Sequence, residues 1–401
     1  MSLTHSFDVP SHSLILIHPF HYLIKGGAVL CISSFLKNPP LPKSLARLKK
    51  SLQKNGKNIQ TQTEDPIISE IRDKTEEFNR NNVTRTKAYL DYFRRHPEIH
   101  WAFLAHMVSR NAGWNMTDLK GEFLPVILSE HEINRFFDFL ERGNWLIFQD
   151  AFPQLLLYEE SKKRKQNLFY FLSSFHVSSF MEAVWNDFWA NQDEFMLTVA
   201  LIINEQSYIE ERVIKNPKYK KEVFDSLEFR LQELLSLNHI LFPYHERRKV
   251  NLKGATVHHF ESLHERILLG KRLYSILFSN GKINKLVEDW AKATTHSGSR
   301  KDYWPAIFNH VRESVASPEW KIRLKSCRLS PDFNRFYSPQ LTNVWNDQTH
   351  QEAEIGDWYK NWKVIYYLLP STEKEIGSIE ANYCNSLEKL ELVAVTKNSI
   401  L

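Results

Sequence analysis

The sequence predicts a mostly or entirely α-helical, bundle-like protein with an aromatic- and proline-rich C-terminal third. Beyond residue 64, apolar residues recur at three- and four-residue spacing, which is the period of a helix with one buried face. Glycine is scarce, with 12 in 401 residues, so long uninterrupted segments are expected. The chain is 42% hydrophobic, which is enough for a sizeable core.

The first 63 residues differ from the rest and predict a separate region. Residues 13–36 are apolar, but two histidines, a proline and a lysine interrupt them near the middle. Such groups are costly inside a bilayer, so membrane contact through this segment is an alternative that we do not favour. Residues 37–63 are rich in Pro, Lys, Asn and Gln, which is typical of a poorly ordered linker. We place the domain boundary near Glu64.

The formal net charge of +5 comes from the linker and not from the predicted domain. Residues 37–63 hold seven basic residues and no acid, which leaves 45 basic against 47 acidic residues elsewhere. A nucleic-acid-binding domain would carry its basic surface on the folded part. The composition therefore argues against a dedicated DNA- or RNA-binding role.

Between residues 64 and 297 the apolar spacing predicts helices in a regular succession. Ser129 and Glu132 form a capping-box pattern, and Pro97, Gly113 and Gly143 are expected to separate neighbouring helices. The predicted helical segments are Ile67–Asn79, Arg85–Phe93, Glu98–Ala112, Ser129–Leu140, Phe195–Val213, Val223–Leu237 and His258–Phe278.

After residue 297 five prolines and five of the eleven tryptophans change the pattern. Shorter helices and longer connections are expected, and tryptophan burial predicts that this third packs on the preceding helices. One helical domain is predicted over residues 64–390, with 391–401 as a tail. The cysteines, Cys31, Cys327 and Cys384, show no metal or disulfide-framework spacing, so a reducing cytoplasm is the expected location.

The segment from residue 85 to residue 124 carries unusually many polar side chains within a helical apolar pattern. One stripe is formed by Trp101, Leu104, Ala105, Val108 and Ala112. His100 and Asn111 lie along its edge, and buried polar groups there need hydrogen-bond partners. Residues 109–118 are interpreted as a loop joining two helices, where exposed amides could receive an anion. The alternative is a simple turn in which Arg110 pairs with Asp118.

These polar side chains suggest a ligand pocket. Two acids, Glu159 and Glu205, are included in it because helical spacing places them toward the core. The candidates are His100, Arg110, Asn111, Asn115, Asp118, Glu159 and Glu205. The alternative is that each acid lies at the water-exposed rim, where charged residues usually lie.

A weaker metal hypothesis rests on His258, Glu261 and His264. Glu261 and His264 have the spacing used in carboxylate-bridged di-iron bundles, but those bundles need a second copy that this chain lacks. Nucleotide-binding, zinc-hydrolase and serine-hydrolase signatures are absent from the sequence, so no cofactor and no catalytic residue are assigned.

The string NVTRTKAYLDYFRRHPEIHWAFLAHMVSRNAGWNMTDLKGEF, residues 82–123, resembles an uncharacterised YppC-like family of Bacillus-type bacteria. The resemblance covers about residues 64 to 390. It implies a bacterial, cytoplasmic protein with a domain of unknown function, and it brings no catalytic residues.

Two functions therefore stay open. The first is a non-enzymatic helical protein that binds another protein through an aromatic-rich surface. The second is an enzyme or small-ligand binder with a polar interior pocket around His100, Arg110, Asn111 and Asp118. Convergence of these side chains on one pocket would favour the second function.

Overall fold

Helices dominate this computed structural model, which describes residues 41–54, 65–224, 239–247, 249–313, 321–331, 333–370 and 378–400. The prediction of a mostly α-helical protein is confirmed. The protein is not entirely helical, because the described residues also contain three two-stranded sheets.

The α-helices are numbered here in chain order. They are α1 Lys43–Lys54, α2 Pro66–Phe78, α3 Asn82–Arg95, α4 His100–Asp118, α5 Leu124–Ile127, α6 Glu130–Arg164, α7 Ser179–Asn191, α8 Glu194–Ile209, α9 Pro217–Tyr219, α10 Leu263–Phe278, α11 Gly281–Ala293, α12 Leu341–Val344 and α13 Glu380–Ile400. Short 3-10 helices lie at Phe169–Phe175, Arg300–Asp302 and Trp362–Leu368, and π-helical turns at Glu210–Ile214 and Lys220–Phe224.

The strands are short apart from one hairpin. β1 (His239–Glu246) pairs antiparallel with β2 (Lys249–Thr256), with Ile240 opposite Ala255. β3 (Phe308–Asn309) pairs in parallel with β6 (Phe336–Tyr337), and β4 (Leu324–Lys325) pairs antiparallel with β5 (Arg328–Leu329).

The centre of the fold is α4, which α3, α6, α8, α10 and β1 surround. Its tryptophans Trp101 and Trp114 are fully buried. Asn81 starts α3 with a capping box, and Ser129 with Glu132 starts α6 in the same way, as the sequence predicts. Pro97 lies between α3 and α4, where a break is predicted.

The other two predicted breaks are wrong, because α4 continues through Gly113 and α6 continues through Gly143. A Cβ at Gly113 would overlap Asn82 Oδ1 and His296 Nε2, which are in contact at 2.8 Å. Glycine is needed there for close packing and not for a turn. The predicted loop at residues 109–118, with its anion site, therefore does not form.

Helices lie within the segments predicted as a linker and as a tail. α1 lies within the predicted linker, because Leu45, Leu48 and Leu52 share one face and are buried against α7 and the Trp362–Leu368 turn. α13 continues through the predicted tail, where Glu391 and Ala394 are buried. The boundary near Glu64 stays a prediction, since residues 55–64 lie outside the described part.

The C-terminal third packs on the preceding helices. The Trp345 ring stacks on Phe137 of α6 with centroids 3.8 Å apart, and the Trp358 indole donates to Asn204 of α8 at 2.8 Å. The predicted helix over Val223–Leu237 lies almost wholly outside the described residues.

A disulfide joins Cys327, in the turn between β4 and β5, to Cys384 of α13. The sequence indicates no disulfide framework and does not predict this single pair. Cysteine spacing in the sequence could not reveal this pair, because 57 residues separate the two partners.

None of the described helices is both long enough and apolar enough to cross a membrane. Residues 13–36, the segment considered for membrane contact, lie outside the described residues.

Candidate functional site

A cavity of about 140 Å³ that is partly open to solvent lies where α3, α4, α6, α8, α10 and β1 meet. One wall is the apolar stripe of α4 predicted from the sequence, formed by Trp101, Leu104, Ala105 and Val108. The polar or aromatic groups that complete the lining include Arg85 and Tyr89 of α3, Glu205 and Gln206 of α8, Phe260, and Arg266 of α10.

Several apolar side chains of the cavity wall are only partly covered, although they lie on helix faces that point inward. Ala105 and Val108 of α4 and Leu269 of α10 all have intermediate exposure. Their neighbours along α4, Leu104 and Met107, are buried. The facing helices therefore leave a space between them that packing does not fill, and protein interiors leave few such spaces.

Glu205 is the acidic side chain of this cavity. Its Oε2 accepts a hydrogen bond from the Trp101 indole at 3.2 Å, and its Oε1 accepts one from the Gln206 amide at 3.0 Å. Burial raises the pKa of Glu205 to about 7, although both hydrogen bonds oppose the change. Both donors are neutral, and no cation of the described residues lies within 4 Å of this carboxylate.

The two arginines that line the cavity each have a carboxylate of their own. Arg85 donates to Glu141 of α6 at 2.5 Å, and both side chains are almost fully buried. Arg266 donates to Glu210, and also to Phe260 O at 2.8 Å. Breaking either buried pair would leave an uncompensated charge. Arg85 Nε has no hydrogen-bond partner among the described residues.

Most of the sequence-predicted pocket residues lie elsewhere. His100, at the start of α4, contacts Tyr274 Oη at 3.1 Å and Glu194 at 3.2 Å near the surface. Glu159 pairs with Arg95 at 2.7 Å, and its hydrogen bond to His96, with that to Arg95, lowers the pKa of Glu159 to about 2.

Arg110 and Asn111 lie on other faces of α4 and connect it to neighbouring elements. Arg110 donates to His106 at 2.9 Å and to the carbonyls of Ala291 and Thr294, and burial lowers its pKa to about 10. Asn111 donates to Leu241 O at 2.9 Å and accepts from Leu241 N at 2.7 Å. The amide of Asn111 thus pairs with strand β1, and the expectation of a buried Asn111 with a distant partner is confirmed.

Asn115 and Asp118 are the pair of candidates that the fold brings together. Both accept hydrogen bonds from Arg300, Asn115 at 3.1 Å and Asp118 at 2.6 Å, and Arg300 also donates to Tyr303 and Tyr383. The expected pairing of Arg110 with Asp118 is wrong. These residues are eight positions apart on one continuous helix, about 12 Å along its axis.

The predicted pocket around His100, Arg110, Asn111 and Asp118 is thus not built, because each of these side chains is held by separate partners. Glu205 is the one member of the predicted set that lines the cavity.

The metal hypothesis lacks its geometric basis. α10 begins at Leu263 with Ser262 as its N-cap, so His258 and Glu261 precede the helix and do not share a helical face with His264. His264 Nδ1 contacts Tyr367 Oη at 3.0 Å instead. Across the described ranges, no three His, Cys, Asp or Glu side chains stand close enough to hold a metal ion.

Two open clefts, of about 430 and 700 Å³, flank the extended segment around His350. His350 Nε2 lies 3.6 Å from Glu141 Oε1 and is buried with it. Residues 348–354 form one side of each cleft, and both linings are more polar than that of the cavity.

Sequence reasoning missed Arg85, Gln206 and Arg266 as parts of the site. A signal existed for Arg85, which lies four residues before Tyr89 on the buried face of α3. Nothing in the local sequence of Arg266 indicates its partner Glu210, which is 56 residues away.

Comparisons with known proteins give a family but no activity. A family model described as a protein of unknown function, DUF2515, matches residues 77–384. The uncharacterized protein YppC of Bacillus subtilis (strain 168) is 42% identical over 312 residues, which are 77% of this chain and 95% of that protein. No solved structure matches. Since the family model spans most of the described chain, this protein belongs to the DUF2515 family.

Proposed function

We propose that this protein binds a small, mainly apolar molecule in the cavity between α4, α8 and α10. The observation that carries the proposal is the unfilled space beside Ala105 and Val108, with an acidic group, Glu205, placed at its wall. Ligand sites in proteins are mostly apolar concavities with a few polar groups that fix the ligand's orientation.

The cavity size limits the ligand. At about 140 Å³ it is close to the roughly 150 Å³ of an engineered apolar cavity that binds benzene. A single aromatic ring, or a chain of about six carbons, fills such a space.

Ala105→Leu tests this proposal, because the larger side chain would occupy the cavity from α4. Toluene at saturation is expected to raise the melting temperature of the wild type and to shift the methyl resonances of Val108 and Leu273. Both effects should be lost in Ala105→Leu, which should itself be as stable as the wild type or about 1 kcal/mol more stable.

The matched control is Ala190→Leu, an exposed position near the end of α7 that is remote from the cavity lining. It should keep the response to toluene. A wild type that does not respond to toluene, or a response that survives in Ala105→Leu, would contradict a ligand cavity at this place.

Protein binding, predicted from the aromatic content, is the second candidate. Its support is Ile322 and Leu392, which are 45% and 54% exposed on neighbouring segments joined by the Arg323 N–H to Glu391 contact. Ile322→Ser with Leu392→Ser should release a co-purifying protein if this surface binds one, while leaving the toluene response intact.

The location in the cytoplasm, expected from the sequence, also stays a proposal. The Cys327–Cys384 bond argues against a reducing compartment, because disulfides persist mainly in oxidising ones. Thiol trapping in intact cells before lysis tests it: free thiols at both positions support the cytoplasm.

A further inference from the structure

We infer that the ligand of the cavity carries a positively charged amine that pairs with Glu205. This inference rests on the proposed ligand-binding function and names the chemistry of the ligand. Its geometric basis is the Glu205 carboxylate, which lies at an apolar wall. The two groups that donate hydrogen bonds to it, the Trp101 indole and the Gln206 amide, bear no charge.

The charges around the cavity leave Glu205 without a cationic partner among the described residues. Arg85 is neutralised by Glu141, and Arg266 by Glu210, through direct contacts between their charged groups. An ionised Glu205 therefore leaves one uncompensated negative charge on the cavity lining. Buried charges in proteins are normally paired, and an ammonium group supplied by the ligand completes this pairing.

The aromatic walls suit the same ligand. Tyr89 and Trp101 pack edge to face, with ring centroids 5.5 Å apart, and Phe260 lies on the same lining. Ring faces attract cations, most strongly when the cation is removed from water. A carboxylate beside three aromatic rings offers an ammonium group both kinds of contact.

The ionisation of Glu205 links amine binding to pH. The charged or titratable groups that face it are Arg85 and Tyr89 of α3 and Arg266 of α10, while the lining residues of α6 and β1 are uncharged. Burial raises the pKa of Tyr89 further from neutrality, and Arg85 and Arg266 are paired with Glu141 and Glu210. Glu205 alone changes charge between about pH 6 and about pH 8.5, so amine affinity should rise across this range.

The experiment compares three ring compounds of similar size, which are benzylamine, benzyl alcohol and benzoate, with toluene as the uncharged reference. Binding is measured by calorimetry on the full chain at about pH 8, where benzylamine is still protonated. We expect benzylamine to bind about tenfold tighter than benzyl alcohol or more.

Glu205→Gln should remove this preference and its pH dependence, because the amide has no charge but keeps an oxygen for the Trp101 indole. Glu211→Gln removes the same charge from an exposed position on the turn after α8 and should change nothing.

Each failure has a separate meaning. Toluene binding without an amine preference, or a preference that survives in Glu205→Gln, overturns the amine. Preferred binding of benzoate also overturns it and assigns the cavity to an anion held by Arg85 or Arg266. Absence of binding by all four compounds overturns the ligand cavity itself.

Discussion

Asp150, a single residue of α6, makes part of the protein's stability depend on pH. Its Oδ2 accepts hydrogen bonds from Gln154 and Asn204, and its Oδ1 has no partner among the described residues. Burial raises the pKa of Asp150 to about 7, against the opposing effect of these hydrogen bonds. Because the folded state favours the protonated acid, its stabilising effect is complete below the unfolded pKa and is lost as pH rises through about 7.

Asp150→Asn should therefore become more stable relative to the wild type as pH rises. The gain should grow by roughly 2 to 3 kcal/mol between about pH 5 and about pH 8, since each pH unit below the folded pKa of about 7 is worth about 1.4 kcal/mol and the difference is constant above it. Urea denaturation at both pH values measures it. Asp138→Asn, exposed on the same helix, is the control, and an equal difference at both pH values would contradict the role of Asp150.

At this scale, sequence periodicity predicts which side chains point inward but not what they meet. It identifies Asn111 as buried and Glu205 as placed beside an apolar face. It cannot indicate Leu241 or Arg300 as partners, because 130 and 182 residues separate them from Asn111 and Asp118. The partner of a buried polar group is fixed by the tertiary fold, which local periodicity does not encode.

Two glycines lie within long helices, and their replacement by alanine should change the stability of the protein in opposite directions. Gly113 of α4 lies against Asn82 and His296, while a Cβ at Gly143 of α6 would meet no atom within 4 Å. Gly143→Ala should therefore stabilise the protein by about 0.5 to 1 kcal/mol through helix propensity.

Gly113→Ala gains the same propensity but must displace the Asn82 and His296 side chains, and overpacking of this kind costs about 1 to 3 kcal/mol. A net loss of about 1 to 2 kcal/mol is expected. Denaturant unfolding of the two variants in parallel measures both effects. Changes of the same sign would refute the packing role of Gly113.

These glycines also explain which elements the sequence could predict. Caps such as Ser129 with Glu132 act within one turn, so their pattern is local and reliable. A glycine can end a helix or admit a close neighbour, and the sequence alone does not distinguish the two. The two residues between β1 and β2, Arg247 and Arg248, include neither a glycine nor an asparagine, so the sequence lacks the usual hairpin signal.

For the molecule as a whole, the sequence predicts the helical class because glycine is scarce and the regular apolar spacing continues along the chain beyond residue 64. The attachment of the C-terminal third is predictable in kind, since tryptophans such as Trp345 need a surface to bury against. Its specific contacts are not predictable, and neither is the covalent one between Cys327 and Cys384.

That disulfide should set much of the global stability. It links the β4–β5 turn to α13, and its Cα atoms lie 5.4 Å apart, within the normal range for a disulfide. Closing a loop of 57 residues restricts the unfolded chain, which corresponds to about 2 to 4 kcal/mol. Reduction of the wild type should lower its free energy of unfolding by this amount.

Cys327→Ser should match the reduced wild type and should not respond to a reductant, whereas Cys31→Ser should behave as the wild type does. Thiol titration of the denatured, unreduced chain provides an independent measure, with one reactive thiol expected from the three cysteines. Three reactive thiols, or an unfolding curve that a reductant leaves unchanged, would mean that noncovalent packing alone holds α13 in place. Since α13 also buries Tyr383 and Leu387, Leu387→Ala separates the two contributions: its loss of stability should persist in the reduced protein.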